Sequence, residues 1–225
     1  MDPFVLVSVI AIMVWSITTH EVAHGWVAYK LGDDTSRLLG RLTLNPIPHV
    51  DPFLTIILPA ALFISGAPIL GGARPIPVDP RNLRNMRRDM AVIAAAGPLS
   101  NFLIAFVLVG VLAAFLSTGF WGADSQGVTV LSLGVFLNIV LGVFNLMPIP
   151  PLDGSKVVAI FLRGRAEMAW WQFQRFGIFL LLGLLFLNRE FLIGVIFGPS
   201  EYLLFLFGDV FGIRREMVEA INAAW

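Results

Sequence analysis

Apolar runs about as long as a bilayer is thick recur along this chain, and they limit its fold more than any other feature. Phe4 to Tyr29 is the first. Met90 to Leu116, Val128 to Leu146, Trp170 to Leu187 and Phe191 to Phe211 follow, with a more broken run from Phe53 to Leu70. Only 13% of the residues are charged, about half the share of a soluble domain. In hydrocarbon every backbone N–H and C=O must be satisfied within its own segment, so such runs fold as helices. The expected fold is an all-α multi-pass membrane protein with about five to six transmembrane helices. Trp170 and Trp171 suit an interface. No basic stretch precedes the first run, which therefore reads as a membrane helix and not as a cleavable leader. Zero cysteines exclude disulfides, thiol catalysis and Cys-ligated zinc. A formal net charge of zero argues against a nucleic-acid surface. With no repeat and no polar linker, residues 1–225 read as a single domain in a lipid bilayer.

Late in the first run stands His20-Glu21-Val22-Ala23-His24. A helix puts His20 and His24 one turn apart on one face, where two imidazoles can grip one ion. Glu21, on the adjacent face, can reach a water at an open metal position. Ionisable side chains are costly at membrane depth and mark function there. The bland alternative, two histidines satisfied by backbone and a snorkelling Glu, leaves that cost unexplained.

Between the first run and Met90 the chain is irregular. Arg41 and Thr43 alternate with Leu42 and Leu44, a short strand-like pattern. Three prolines in Asn45 to Pro52 forbid helix there, and Pro59, Gly66 and Pro68 interrupt Phe53 to Leu70. Leu39 to Leu44 and Arg74 to Val78 are candidate strand edges for an extended substrate. Further on, Pro148, Pro150 and Pro151 end the Val128 helix just before Asp153-Gly154, and Lys156 to Arg165 reads as a surface helix.

Two histidines do not complete a catalytic zinc site, which takes three protein ligands and an open position. His49, in the Pro-rich loop, and Asp153 are the candidates. Asp153 is favoured, because unwound backbone at membrane depth is tolerated where it is buried or lines a wet cavity. If His24 and Asp153 share an ion, their two helices exit on the same side. Phe53 to Leu70 must then return to the side it left, as a re-entrant or interfacial segment. That side collects Lys30, Arg37, Arg41, Arg74, Arg81, Arg84, Arg87, Arg88, Lys156, Arg163, Arg165, Arg214 and Arg215; Arg175 is assigned to neither side, and only Arg189 falls opposite. The positive-inside rule makes the shared side cytoplasmic. From His24 to Lys30 is roughly 9 Å of helix, so the metal would lie just below that surface.

Three segments in order, His20-Glu21-Val-Ala-His24, Ala96-Gly97-Pro98-Leu-Ser-Asn101 and Asn145-Leu-Met-Pro148-Ile-Pro-Pro-Leu-Asp153-Gly154, resemble the site-2 protease family of intramembrane zinc metalloproteases. The resemblance covers about residues 4–165, leaving C-terminal helices at about 166–212. It implies His20, His24 and Asp153 as ligands of one Zn2+ per chain and Glu21 as catalytic base. Asn145 would be a polar helper near the site, with Asn101 a second candidate; apart from the resemblance, His49 and Asn101 are candidate contacts to substrate or transition state. The resemblance implies transmembrane protein substrates cut by regulated intramembrane proteolysis, in the cell membrane of a prokaryote, by a short form without a PDZ or CBS domain.

The residues support that chemistry by themselves. Zinc lowers the pKa of its water to about 7, and Glu21 can take that proton and pass it to the leaving amine. A metal transporter would string ligands along a path, whereas these cluster at one depth and leave Glu21 idle. An inactive scaffold would be expected to lose a ligand or Glu21, and none is missing. Substrate identity, trigger and oligomeric state are not legible in the residues.

Overall fold

The computed structural model describes residues 2–57, 60–61, 64 and 71–224. Helix α1 spans Pro3–Lys30. Asp2 caps it by accepting from the Phe4 N–H, and Pro3 at its first position has no N–H to satisfy. It buries Val5 and Val9 and exposes Leu6, Val7 and Ile10, so both faces are apolar. That is the pattern of a helix between protein and lipid. Helix α2 is the short turn Thr35–Leu38. Helix α3, Met86–Ser117, is long enough at about 48 Å to cross hydrocarbon and project beyond it. Helix α4, Gln126–Leu146, ends two residues before Pro148, since that ring disfavours helical backbone at the residue preceding it. Short helices α5, Asp153–Ala159, and α6, Arg165–Phe173, follow. Helices α7, Gly177–Leu187, α8, Arg189–Phe211, and α9, Arg214–Ala224, complete the chain.

Helix α3 is the centre: it packs against α1, α4, α5 and α8. One apolar cluster joins Val5, Val109, Leu112, Val128, Leu204 and Met217, so the start of α1, the end of α8 and all of α9 meet at one end of the bundle. A second cluster joins Met147 and Leu152 to Leu181, Leu192 and Ile196 at the other end, which carries the site described below.

Four helices are long and apolar enough to cross a membrane: α1, α3, α4 and, from Glu190, α8. This makes the chain an integral membrane protein, with fewer such helices among the described residues than the apolar runs suggest. Trp170 to Leu187 accounts for the difference. A 3-10 turn at Gln174–Phe176 divides it into α6 and α7, and α7 alone is only about 16 Å long. The consequence reaches the charges. Helix α8 starts at the site's end of the bundle and finishes at the other, so Arg189 opens it beside the site while Arg214 and Arg215 lie at the opposite end. The two arginines and Arg189 thus exchange the places expected from the sequence.

No strand forms among the described residues. The alternation around Arg41 to Leu44 reflects burial of Arg41 alone, whose guanidinium donates to the Arg74 carbonyl at 2.7 Å. The surface helix expected at Lys156 to Arg165 is α5, which begins earlier and stops at Ala159. Pro59, Gly66 and Pro68, on which the re-entrant reading of Phe53 to Leu70 leaned, lie outside the described residues. The flanks are described. The Gly72 N–H donates to the Leu54 carbonyl at 3.0 Å, and Thr55 Oγ1 donates to the Gly72 carbonyl at 2.7 Å. The chain therefore leaves and returns at one place.

Candidate active site

His20 and His24 project from α1 toward α3, one helical turn apart, and both are buried. Opposite them on α3 stands Gly97. A Cβ there would lie 2.6 Å from His20 Nε2 and closer still to His24 Nε2, so only glycine leaves the imidazoles their place. The Ala-Gly-Pro motif thus presents bare backbone to the histidines. Pro98 adds a second effect, since it offers no N–H to the carbonyl one turn back and loosens the helix there. In that turn the Ile93 carbonyl accepts a bond from His24 Nδ1 at 2.7 Å.

Asp153 arrives from the other side. After α4 ends, the proline-rich turn folds back so tightly that a Cβ on Gly154 would overlap the Leu146 carbonyl. That packing seats Asp153 at the first turn of α5, where the helix dipole suits a carboxylate. Its Oδ2 lies 3.2 Å from His20 Nε2 and 3.1 Å from His24 Nε2, and the two Nε2 atoms are 3.1 Å apart. Lys156 Nζ stands 3.4 Å from the other carboxylate oxygen.

These three atoms form a nearly equilateral triangle, and its chemistry tests whether a metal fits. A carbonyl only accepts, so His24 Nδ1 carries a proton, and in the neutral imidazole Nε2 is the lone pair. His20 Nδ1 likewise faces an oxygen, Asn101 Oδ1, at 2.6 Å. With both rings neutral, three acceptors converge at one point, an arrangement that a cation resolves. His20 Nε2, His24 Nε2 and Asp153 Oδ2 would hold such an ion, the donor set of a zinc site. Among the described residues this is the one group of three that can hold a metal.

Glu21, half-buried, faces the same cleft, and its Oε2 accepts the Ile76 N–H at 2.9 Å. The cleft has a volume of about 480 Å3. His20, Glu21, His24 and Asp153 line its polar side, and Ile17, Leu54, Met90, Phe144, Ile178 and Leu181 are among its apolar walls. Arg41 is buried nearby. Burial and the neighbouring Arg74 hold its guanidinium below its ordinary pKa, partly offset by Glu21.

The other expected site residues separate. Asn145 lines the cleft, with its amide nitrogen donating to the Leu141 carbonyl at 2.9 Å. Asn101 does not line it. It stands behind His20, so in place of the expected contact with substrate it makes a contact with His20. His49 does not line it either, and its Nε2 pairs with the Thr43 carbonyl at 2.9 Å within its own loop. Asp51 caps its own turn, accepting from the N–H groups of Phe53 and Leu54. Arg74 to Val78 is extended, but most of its donors are spent or missing: Arg74 gives its N–H to the His49 carbonyl, Ile76 gives its own to Glu21, and Pro75 and Pro77 have none, which leaves Val78. Lys156, Asn138 and the backbone of Ile93 and Ile76 were not foreseen. Only Asn138, a lone amide inside an apolar run, left a signal in the sequence.

The model of peptidase family M50 matches residues 8–128 and 121–187, most of the chain. The chain belongs to peptidase family M50. This is the site-2 protease family that its three motifs resemble, and the enzyme class is metalloprotease. Among M50 relatives, YwhC of Bacillus subtilis, provisionally named a zinc metalloprotease, is 37% identical over 214 residues, 93% of each chain. Rip2 of Mycolicibacterium smegmatis, named in the same provisional way, is 30% identical over 223 residues, 96% of this chain and 78% of that one. A zinc metalloprotease of Methanocaldococcus jannaschii is 27% identical over 147 residues, 65% of this chain and 32% of its own length. No solved structure matches the chain.

Proposed function

We propose that this protein is an intramembrane zinc metalloprotease that hydrolyses peptide bonds within or near transmembrane segments of other membrane proteins. The observation that carries this reading is the convergence of three bare acceptors beside Glu21, on a membrane-crossing helix, at the polar side of an apolar cleft. His20, His24 and Asp153 would hold one zinc ion, which when bound supplies Lewis acidity to a peptide carbonyl and lowers the pKa of a water to about 7.

Glu21 is the general base and acid. One of its oxygens is tethered by the Ile76 N–H, which holds the carboxylate toward the cleft and leaves the other oxygen to take a proton from water and return it to the leaving amine. Asn145 spends one N–H on Leu141, and its amide has a second to offer a developing oxyanion. The apolar walls suit an unwound stretch of hydrophobic residues. A substrate helix must unwind first, because its amides are otherwise locked in internal bonds. With Arg74 and Ile76 already engaged, the 74–78 segment would meet such a stretch mainly through its carbonyls.

Residues 1–225 act as one unit in this reading. The core is about 4–165, and the helices at about 166–212 supply a cleft wall through Ile178 and Leu181. The site opens at the cytoplasmic face, because Lys30, Arg41, Arg87 and Lys156 surround that end. The membrane is the cell membrane of a prokaryote, as suits bacterial and archaeal relatives. The test is to incubate the detergent-purified protein with a panel of transmembrane peptides, with and without chelator. Cleavage inside the apolar stretch that chelator stops supports the reading. Cleavage that chelator leaves untouched contradicts it.

A further inference from the structure

We infer that Asn101 and Asn138 form a positioning relay that fixes the tautomer of His20 and so keeps its Nε2 free for the metal. The inference rests on the reading of His20 as a ligand. His24 meets its second acceptor in backbone: the Ile93 carbonyl can only accept, so Nδ1 must carry the proton. His20 meets a side-chain amide, which by itself can present either an oxygen or an NH2 group. Presented with NH2, His20 would put its lone pair on Nδ1 and its proton on Nε2, pointing into the site.

The relay removes that choice, and the argument starts from its far end. Asn138 donates from Nδ2 to the Gly134 carbonyl, 2.8 Å away, and a carbonyl cannot donate. Asn138 therefore turns its oxygen toward Asn101, at 3.1 Å from Asn101 Nδ2. An oxygen needs a donor opposite it, so Asn101 presents its nitrogen there and its own Oδ1 to His20 Nδ1, 2.6 Å away. In the neutral ring the proton then sits on Nδ1 and Nε2 is bare. Asn101 and Asn138 are both fully buried, where unpaired amides would be strongly unfavourable. The links run from α4 through α3 to α1, so the relay also sets the orientation of the His20 ring from two other helices. Acceptors behind metal-bound histidines act in this way on metal affinity.

The test measures zinc affinity by chelator competition on the full-length protein in detergent, together with histidine tautomers by 15N NMR on the zinc-free form. Asn101→Leu should weaken zinc binding by about 10–100-fold. Asn138→Leu, which touches no ligand, should also weaken it and give a mixture of His20 tautomers in place of one. Asn101→Asp keeps an acceptor toward Nδ1 but loses the N–H given to Asn138, so it should recover part of the affinity lost in Asn101→Leu. A purely structural role would not be rescued by a buried carboxylate and would not move the tautomer ratio. If Asn101→Leu does not fold, Asn138→Leu and Asn101→Asp decide. Wild-type affinity and a single His20 tautomer in folded Asn138→Leu would overturn the inference. His20→Ala and Asp153→Ala examine the ligand reading itself: if both bind zinc like the wild type, that reading fails, whatever the asparagines do.

Discussion

Gly97 is the position where one hydrogen atom decides most. Its Cα faces two imidazole nitrogens, and a methyl group there has nowhere to go because the neighbouring atoms belong to rings held on their far sides by Ile93 and Asn101. Gly97→Ala should lower zinc affinity by more than about 10-fold and cost about 1–3 kcal/mol in stability through overpacking. Equilibrium dialysis and thermal unfolding read the two effects. His49→Ala should leave zinc content unchanged, since His49 pairs within its loop, and loss of the metal in that variant would return His49 to the ligand set. At this scale the sequence was legible where spacing along one helix carries the geometry, as for His20, Glu21 and His24. It was less so for Asp153, which needed an argument about which way helices exit. Ile93 and Ile76 act through backbone atoms, which every residue has, so no residue type could announce them.

Among the elements, the connections carry the largest differences from expectation. Asp33, just past α1, accepts from Thr35, from the Asn82 side chain and from the Asp79 N–H, so it latches the end of α1 to the segment that leads into α3. Burial alone would raise its carboxyl, but these donors outweigh burial and hold it below its ordinary 3.8. A depressed carboxyl contributes stability above its unfolded pKa and loses it as pH falls through the folded value. The gap in unfolding temperature between wild type and Asp33→Ala should thus be full near neutral pH and shrink once pH drops below 3.8. A gap independent of pH would mean that the latch is not ionic. The bonds between Leu54, Thr55 and Gly72 predict that the intervening segment returns to its own side, and the course of α8 places Arg215 opposite the site. In the cysteine-free chain, single cysteines at positions 37, 81, 124 and 215 can be probed with an impermeant thiol reagent on intact cells. Positions 124 and 215 should label and 37 and 81 should not. Label at 37 but not at 81 would mean that the segment crosses, and a protected 215 would reverse α8. Hydropathy made the long helices legible. It did not separate α6 from α7, because the two polar residues of the turn, Gln174 and Arg175, sit near the end of a long run where an interfacial anchor would also place them.

In the whole molecule, three spanning helices and one proline-built turn bring His20, His24 and Asp153 together beside Glu21, open to an apolar cleft. Most of that architecture was legible because few arrangements let α1 and Asp153 meet inside a bilayer. Its interior wiring, the relay through Asn138 and the tether from Ile76, was not, because it depends on which helix faces turn toward one another. In the proposed mechanism, metal binding and proton transfer belong to different residues of one site. One preparation tests it: zinc content and cleavage of a transmembrane peptide, measured side by side in wild type, Asp153→Ala and Glu21→Gln. The wild type should hold about one zinc per chain and cleave, Asp153→Ala should lose both, and Glu21→Gln should keep the zinc while cleavage falls to background, because an amide cannot take the proton. Undiminished cleavage by Glu21→Gln, or full zinc in Asp153→Ala, would contradict the account.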